Sequence, residues 1–279
     1  MITHVAIITG GSRGLGRAMT LDLAHEGYAV IAVSHIAADI AQLASEFVDT
    51  PLAERVVPIL ADLRQPAECD RVTAAAREHF GGVHILINNA GLTFTYIWPD
   101  LYRRPSPPQF WKATDEIVQN VIDTNYVAAD QMARRVAPHM VRQGWGRIVN
   151  VTTKLDTMNR STSGIYGASK AALEMATEIW AKGTTGTGLT INIVNPGAGA
   201  DTPGMAEEIR DASRKGRIAP LLEPVQMLPP LLWLISPDAN NVNGYRFDAN
   251  LWDSELPPAE AARRARRPAG LRLHAALNS

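Results

Sequence analysis

Tyr166 and Lys170 stand four residues apart in the run Tyr166-Gly167-Ala168-Ser169-Lys170. On a helix that spacing puts the two side chains next to each other on one face. A free tyrosine ionises at about pH 10, too high for efficient acid–base work at neutral pH. A neighbouring ammonium favours the phenolate and is expected to lower that value. Such a pair suits proton transfer at a carbonyl or alcohol oxygen. Thr153 lies thirteen residues before Tyr166, at the end of an apolar run. A hydroxyl at a strand end is a candidate donor to an oxygen on which negative charge develops. Alternation along the strand should turn Thr152 away from the same site.

A second group of residues suits phosphate. Thr9-Gly10-Gly11-Ser12-Arg13-Gly14-Leu15-Gly16 follows the apolar run Val5–Thr9 and opens a helical stretch over 14–26. Glycines let backbone approach a pyrophosphate, and the free N–H groups of the following helix attract its charge. The spacing is G-x-x-x-G-x-G, not the G-x-G-x-x-G of the common dinucleotide fingerprint.

With that spacing the chain resembles the short-chain dehydrogenase/reductase family in its classical branch, over about residues 3–244. Further motifs follow in the family's order. Asp62-Leu63 follows the third apolar run, Asn88-Asn89-Ala90-Gly91 closes the fourth, and Asn125 lies in a long helical stretch. Tyr166 and Lys170 match Y-x-x-x-K, and Asn195-Pro196-Gly197 matches the turn after the sixth run. The resemblance implies catalysis by Asn125, Thr153, Tyr166 and Lys170, with threonine where the family usually has serine. It implies that Lys170 also holds the nicotinamide ribose, that Asn125 holds a relay water, and that Asp62 contacts adenine. Cofactor contacts are expected from Gly10, Ser12, Arg13, Gly14, Leu15, Gly16, Ser34, His35, Asp62, Leu63, Asn89, Ala90, Gly91, Tyr166, Lys170, Pro196, Gly197 and Thr202. Thr202 falls one residue later than the family pattern. No metal is implied.

The run over 29–33 ends in Ser34-His35 with no acid to bind the adenosine ribose and repel a 2′-phosphate. Ser34, protonated His35 and Arg13 favour NADP(H) over NAD(H). Asp39 is expected to sit too deep in the next helix to supply the missing acid.

These groups need a scaffold. Apolar runs alternate with helical segments: 29–33 then Ala37–Phe47, 55–61 then 67–80, 83–88, 114–143, 147–152, 164–182 and 189–194. A kink is expected at Pro138 in the helix over 114–143. The runs are apolar on both faces, as in a covered parallel sheet. The expectation is a single-domain, Rossmann-like, doubly wound α/β fold of about seven parallel strands with helices on both faces. Residues 225–235 read as a helix broken by Pro229-Pro230, and 244–247 as a last strand. The segment 92–113 lacks a period but holds Phe94, Tyr96, Trp98, Tyr102, Phe110 and Trp111. It forms either a wall over the nicotinamide site, with Tyr96 and Trp98 touching substrate, or a subunit contact or satellite core. Residues 198–217 read as an irregular lid with a short helix, where Met205 and Ile209 could line the pocket. Residues 1–250 are expected to bind dinucleotide and catalyse. Residues 251–279 form an extension that packs on the domain or on a neighbouring subunit.

The chain has 279 residues, 46% hydrophobic, with a net charge of −1. Nothing in that balance steers it to nucleic acid or anionic lipid. A lone Cys69 excludes an internal disulfide and fits a reducing cytoplasm. The start lacks the pattern of a signal peptide, and no apolar stretch suggests a membrane span. Expected partners are a small carbonyl or alcohol substrate and further copies of the chain, as a homodimer or homotetramer. The reading is an NAD(P)-dependent oxidoreductase. The alternatives are a catalytically silent dinucleotide sensor or scaffold, which the Tyr166–Lys170 pair opposes, and a sugar-nucleotide epimerase or dehydratase, which the loop spacing opposes.

Overall fold

A computed structural model describes residues 4–271. Residues 1–3 and the last part of the expected extension, 272–279, lie outside the described residues. The first half of the sheet is laid down by β1 (Val5–Thr9), β2 (Ala29–Ser34), β3 (Val56–Leu60) and β4 (Ile85–Asn88), with α1 (Gly14–His25), α2 (Ala37–Phe47) and α3 (Pro66–Phe80) between them. In β1, Ala6 and Ile8 enter one core while Val5 and Ile7 enter the other. A strand's side chains alternate between faces, so a strand covered on both sides must be apolar throughout. Met19 and Leu23 of α1 close the first core; Val72 and Ala76 of α3 close the second.

The second half begins with α4 (Phe94–Ile97) and the helical run α5 (Asp115–Ile122) and α6 (Ala128–Arg142). Thr114 caps α5 by accepting from the Ile117 N–H at 3.3 Å. The expected single helix over 114–143 is interrupted at Asp123–Val127, which has π geometry and carries Asn125. Next come β5 (Gly146–Val151), α7 (Leu155–Met158), α8 (Gly164–Gly183), β6 (Leu189–Asn195), α9 (Glu207–Arg214), α10 (Leu228–Ile235), β7 (Tyr245–Asp248), α11 (Pro258–Ala265) and β8 (Arg266–Pro268). Pro229-Pro230 does not break α10. It sits in the helix's first turn, where missing N–H groups cost nothing, and the preceding Pro224–Met227 turn is 3-10.

The strand order is β3-β2-β1-β4-β5-β6-β7-β8. The first seven strands run parallel and β8 is antiparallel to β7. The expectation of about seven strands is therefore one short. The eighth lies in the stretch read as a tail, where Arg266, Arg267 and Pro268 carry no strand signal and are exposed. The order reverses between β1 and β4. Ligands of such sheets bind in the crevice at the strands' carboxyl ends at that point.

Candidate active site

The loop after β1 meets the turn after β4 at the crevice. The Thr9 hydroxyl accepts from the N–H groups of Asn89 and Ala90, both at 3.0 Å. Asn89 Nδ2 donates to the Thr9 and Gly10 carbonyls at 3.0 and 3.1 Å. Gly16 packs beneath the loop, where a Cβ would lie 1.9 Å from the Gly10 carbonyl oxygen, so only glycine fits. A cleft of about 550 Å³ brings together Gly10, Ser12, Arg13, Gly14, Leu15, Ser34, His35, Asp62, Leu63, Asn89, Ala90, Gly91 and Thr202. The Ser12 hydroxyl is buried without a hydrogen-bond partner among the described residues. An orphaned donor on a cleft wall, beside a helix start, fits a phosphate oxygen. The dinucleotide that the loop implies therefore suits the residues present.

Asp39 does not line the cleft; its carboxylate lies 3.6 Å from Arg13 Nε. Two details of this cleft differ from the sequence reading. Asp62 is not a free acceptor, since both its oxygens accept from the Arg64 guanidinium at 2.7–3.1 Å, which holds its carboxyl below the usual range. Tyr96 faces this cleft, where its hydroxyl accepts from Asn120 Nδ2 at 2.8 Å; Asn120 Oδ1 in turn accepts from Arg64 at 2.6 Å. Arg64 and Asn120 were missed. The position of Arg64, two residues past Asp62 in a tight turn, was the only available signal.

A second cavity of about 560 Å³ adjoins the first and shares Leu15, Asn89, Gly91 and Thr202 with it. Thr153, Tyr166, Lys170, Pro196 and Gly197 line it. Thr202 reaches both cavities despite its shifted register, and its Cβ lies 3.2 Å from where a Gly14 Cβ would be. The α8 helix places Tyr166 and Lys170 on one face, 9% and 4% exposed. In the same cavity the Thr153 hydroxyl favours the ionised form of the Tyr166 phenol. The Thr152 hydroxyl donates to Glu174 at 3.0 Å, although Thr152 also lines the cavity.

The Tyr166 phenol is raised, not lowered, in this arrangement. Burial pushes it up, opposed by the Thr153 hydroxyl. Burial also brings Lys170 down to about 8, and its Nζ donates to the Val151 carbonyl at 2.8 Å. Desolvation disfavours the charged form of both groups. Asn125 accepts from Leu92 N–H at 2.7 Å and donates to Leu92 O at 3.1 Å and Ser169 Oγ at 2.9 Å. A Cβ on Gly91 would lie 3.3 Å from Lys170 Nζ and 3.4 Å from Asn125 Oδ1, so both converge under this glycine.

The aromatic segment divides between two jobs. Phe94 packs on Tyr166 with ring centroids 4.4 Å apart, and Tyr102 also lines the cavity. Trp98 does not touch the cavity; with Ile97 and Val121 it forms a satellite core against Tyr166. Phe110 and Trp111 are exposed. Thr93 and Thr95 donate to the Gly204 carbonyl at 2.9 and 3.0 Å, tying this segment to the lid over 198–217. Met205 lines the cavity and Ile209 does not.

Beneath the cavity runs a buried charge network that no motif announced. Arg246 Nη1 lies 3.0 Å from Glu174 Oε2 of α8, and Arg246 Nη2 lies 2.9 Å from Asp248 Oδ1. Nη2 also donates to the Thr153 carbonyl at 3.0 Å. Asp248 accepts from Asn195 Nδ2 at 2.5 Å, and Asn195 Oδ1 accepts from the Gly197 N–H at 2.8 Å. One network thus supports both Thr153 and the Pro196-Gly197 turn. An arginine inside the last apolar strand, Tyr-Arg-Phe-Asp, was its signal.

The short chain dehydrogenase family model matches residues 4–213. A short-chain type dehydrogenase/reductase of Picea abies is 31% identical over 245 residues, covering 84% of this chain and 86% of the relative. An NADPH-dependent aldehyde reductase-like protein, chloroplastic, of Arabidopsis thaliana is 32% identical over 264 residues, covering 88% and 93%. Among solved structures, a 3-ketoacyl-(acyl-carrier-protein) reductase from Brucella melitensis complexed with NADH superposes with a TM-score of 0.74 at 26% identity, covering 88% of this chain and 96% of that one.

Proposed function

This chain belongs to the short chain dehydrogenase family and is an NAD(P)-dependent oxidoreductase; from that premise we propose that it uses NADP(H) to interconvert a small carbonyl compound and its alcohol, with Tyr166 as the general acid and base. The observation that carries this reading is the meeting of Tyr166, Thr153 and Lys170 in one cavity that opens into the glycine-rich cleft.

Tyr166 donates its phenolic proton to the carbonyl oxygen in reduction and its phenolate takes the proton back in oxidation. Burial keeps that proton on the phenol, so the donor is loaded at neutral pH. Thr153 steadies the same oxygen as negative charge grows there. Lys170, which lines the cavity, would hold the nicotinamide ribose, and Asn125 holds the Leu92 backbone and Ser169 in place. The nicotinamide, when bound, supplies or accepts the hydride.

Ser12, Arg13 and the glycine loop take the phosphates. Ser34, His35 and Arg13 take the 2′-phosphate, since β2 ends without an acid. Asp62, Leu63 and Arg64 frame the adenine. The NADPH dependence of the Arabidopsis relative supports this preference. Residues 1–250 carry cofactor and catalysis, with 251–279 as an extension. The working unit is a homodimer or homotetramer, and exposed Phe110 and Trp111 offer apolar surface for a second copy. A buried free Cys69 suits the reducing cytoplasm. No helix among the described residues is long and apolar enough to cross a membrane.

The test compares kcat/KM with NADPH and NADH against aldehydes, ketones, sugar ketones and hydroxysteroids. Turnover with NADPH preferred is expected. A preference for NADH sinks the NADP(H) assignment, and no turnover with either sinks the reductase.

A further inference from the structure

The cavity beside Tyr166 is biased in charge. Lys154, Arg160 and Lys170 line it, and no aspartate or glutamate among the described residues does. Beyond Phe94, Tyr102 and Arg160 it continues into a groove of about 320 Å³, which adds Arg104 and again no carboxylate. The whole chain is balanced, with 27 basic and 28 acidic residues, so the bias is local. A cleft lined by one sign of charge concentrates ligands of the other.

The four cations are not equally occupied. Lys170 donates to the Val151 carbonyl on the cofactor side. Lys154 lies 3.0 Å from Asp156, and Arg104 lies 2.8 Å from Asp100 and over the Trp98 ring. Arg160 has no carboxylate within ion-pair distance among the described residues. It stands where the cavity and the groove join, near the Tyr102 hydroxyl, whose ionised form it favours against burial. Phe94 and Tyr102 line both the cavity and the groove, and the Tyr102 hydroxyl donates to Met205 Sδ at 3.6 Å.

We propose that the substrate carries an oxyanion, a carboxylate or a phosphate, separated from its carbonyl by an apolar body, and that Arg160 binds that oxyanion. This deepens the reductase reading and rests on it. The carbonyl oxygen sits at Tyr166 and Thr153, the body lies along Phe94 and Tyr102, and the anion ends the molecule at the guanidinium. An arginine fork matches either oxyanion with two parallel N–H···O bonds. Arg160 is exposed, so its charge stays solvated until the ligand arrives.

The test uses a medium-chain aldehyde ending in a carboxylate, its methyl ester, and the same aldehyde ending in a phosphate monoester. Wild-type enzyme should favour an anionic substrate over the ester by roughly tenfold or more in kcat/KM, mainly through KM. Salt at about 0.5 M should shrink that ratio. R160Q should bring the ratio near one, and R160K should keep part of it. Whichever anion gives the larger ratio identifies the chemistry. A wild-type ratio near one for both anions overturns the proposal, as does a ratio that R160Q leaves unchanged. Turnover of the ester with no preference for either anion leaves the reductase standing and removes only the role of Arg160. If no aldehyde turns over, calorimetry still decides. The matching hydroxy acid, titrated into enzyme loaded with oxidised NADP, should bind wild type and lose most of its affinity in R160Q. Equal affinity for the two proteins overturns the proposal.

Discussion

The cofactor cleft and the substrate cavity share Leu15, Asn89, Gly91 and Thr202, yet they are built differently. The cleft is built on turns at the ends of β1, β2, β3 and β4, where the glycine loop and Ser12 sit beside Arg13, His35 and Arg64. Those turns are bolted together by hydrogen bonds of Thr9 and Asn89. The cavity takes Tyr166 and Lys170 from α8, Val151 from β5 with Thr153 two residues past its end, and Leu15, Phe94, Thr95 and Thr157 from α1, α4 and α7. Its outer wall comes from three loops: the aromatic segment, the stretch after β5 and the lid after Pro196-Gly197. Phosphate binding is common to many substrates and calls for fixed geometry, whereas the outer wall sets which carbonyl enters. Binding residues fall on loops positioned by a rigid scaffold, and here the Arg246 network supplies rigidity under the loops.

The comparison breaks most sharply at Tyr166. Tyr166→Phe should cost about 100-fold or more in turnover while dinucleotide affinity, read by fluorescence titration, stays the same. More than a tenth of wild-type rate would remove Tyr166 from the proton step. The raised phenol also predicts a pH dependence. Oxidation needs the phenolate, so its rate should climb about tenfold per pH unit above neutrality until the phenol is titrated. Reduction, which uses the protonated form, should gain nothing over the same range.

Thr153→Val keeps the branched shape and removes the hydroxyl; it should lose about 100-fold in kcat. Thr153→Ser should stay active. An active valine variant would mean that shape, not the hydroxyl, matters here. Arg246→Met tests the support beneath both lips of the cavity. It strands Glu174 as a buried carboxylate without its counter-charge and leaves Asp248 only the longer Arg267 contact at 3.7 Å, a change worth about 3–5 kcal/mol of stability. The midpoint of urea unfolding should fall accordingly, and an unchanged midpoint would show the network is not a structural support.

Smaller effects separate the two regions from each other. Ser34→Asp places a carboxylate against the 2′-phosphate position and should swing the NADP-to-NAD ratio of kcat/KM by roughly tenfold or more towards NAD. Substrate KM should not follow. Phe94→Ala should do the opposite, raising KM for the carbonyl by roughly threefold to tenfold with little effect on the dinucleotide. Tyr96→Phe, two residues on, should act on the dinucleotide alone, because its hydroxyl faces the cleft. If the Phe94 and Tyr96 variants behave alike, the division of α4 between cleft and cavity is wrong.

The parts of this protein that depend on short-range geometry were legible in its residues. The glycine loop, the N-N-A-G turn and the Tyr166–Lys170 spacing each specify a local backbone shape or a helix face, so they could be read and placed in order on a parallel sheet. Strands apolar on both faces announced a covered sheet. What depended on distant partners was not legible. Arg64 engages Asp62 and Asn120, Asp39 reaches Arg13, and Trp98 goes to a satellite core while Phe94 meets Tyr166. The eighth strand exists because the edge of β7 offers unpaired backbone groups, not because Arg266-Arg267-Pro268 prefers to extend. The direction of the Tyr166 shift was also a tertiary result. Spacing put an ammonium beside the phenol, but the depth of burial, which α4, α5 and α8 create together, decided which charge was cheaper to lose.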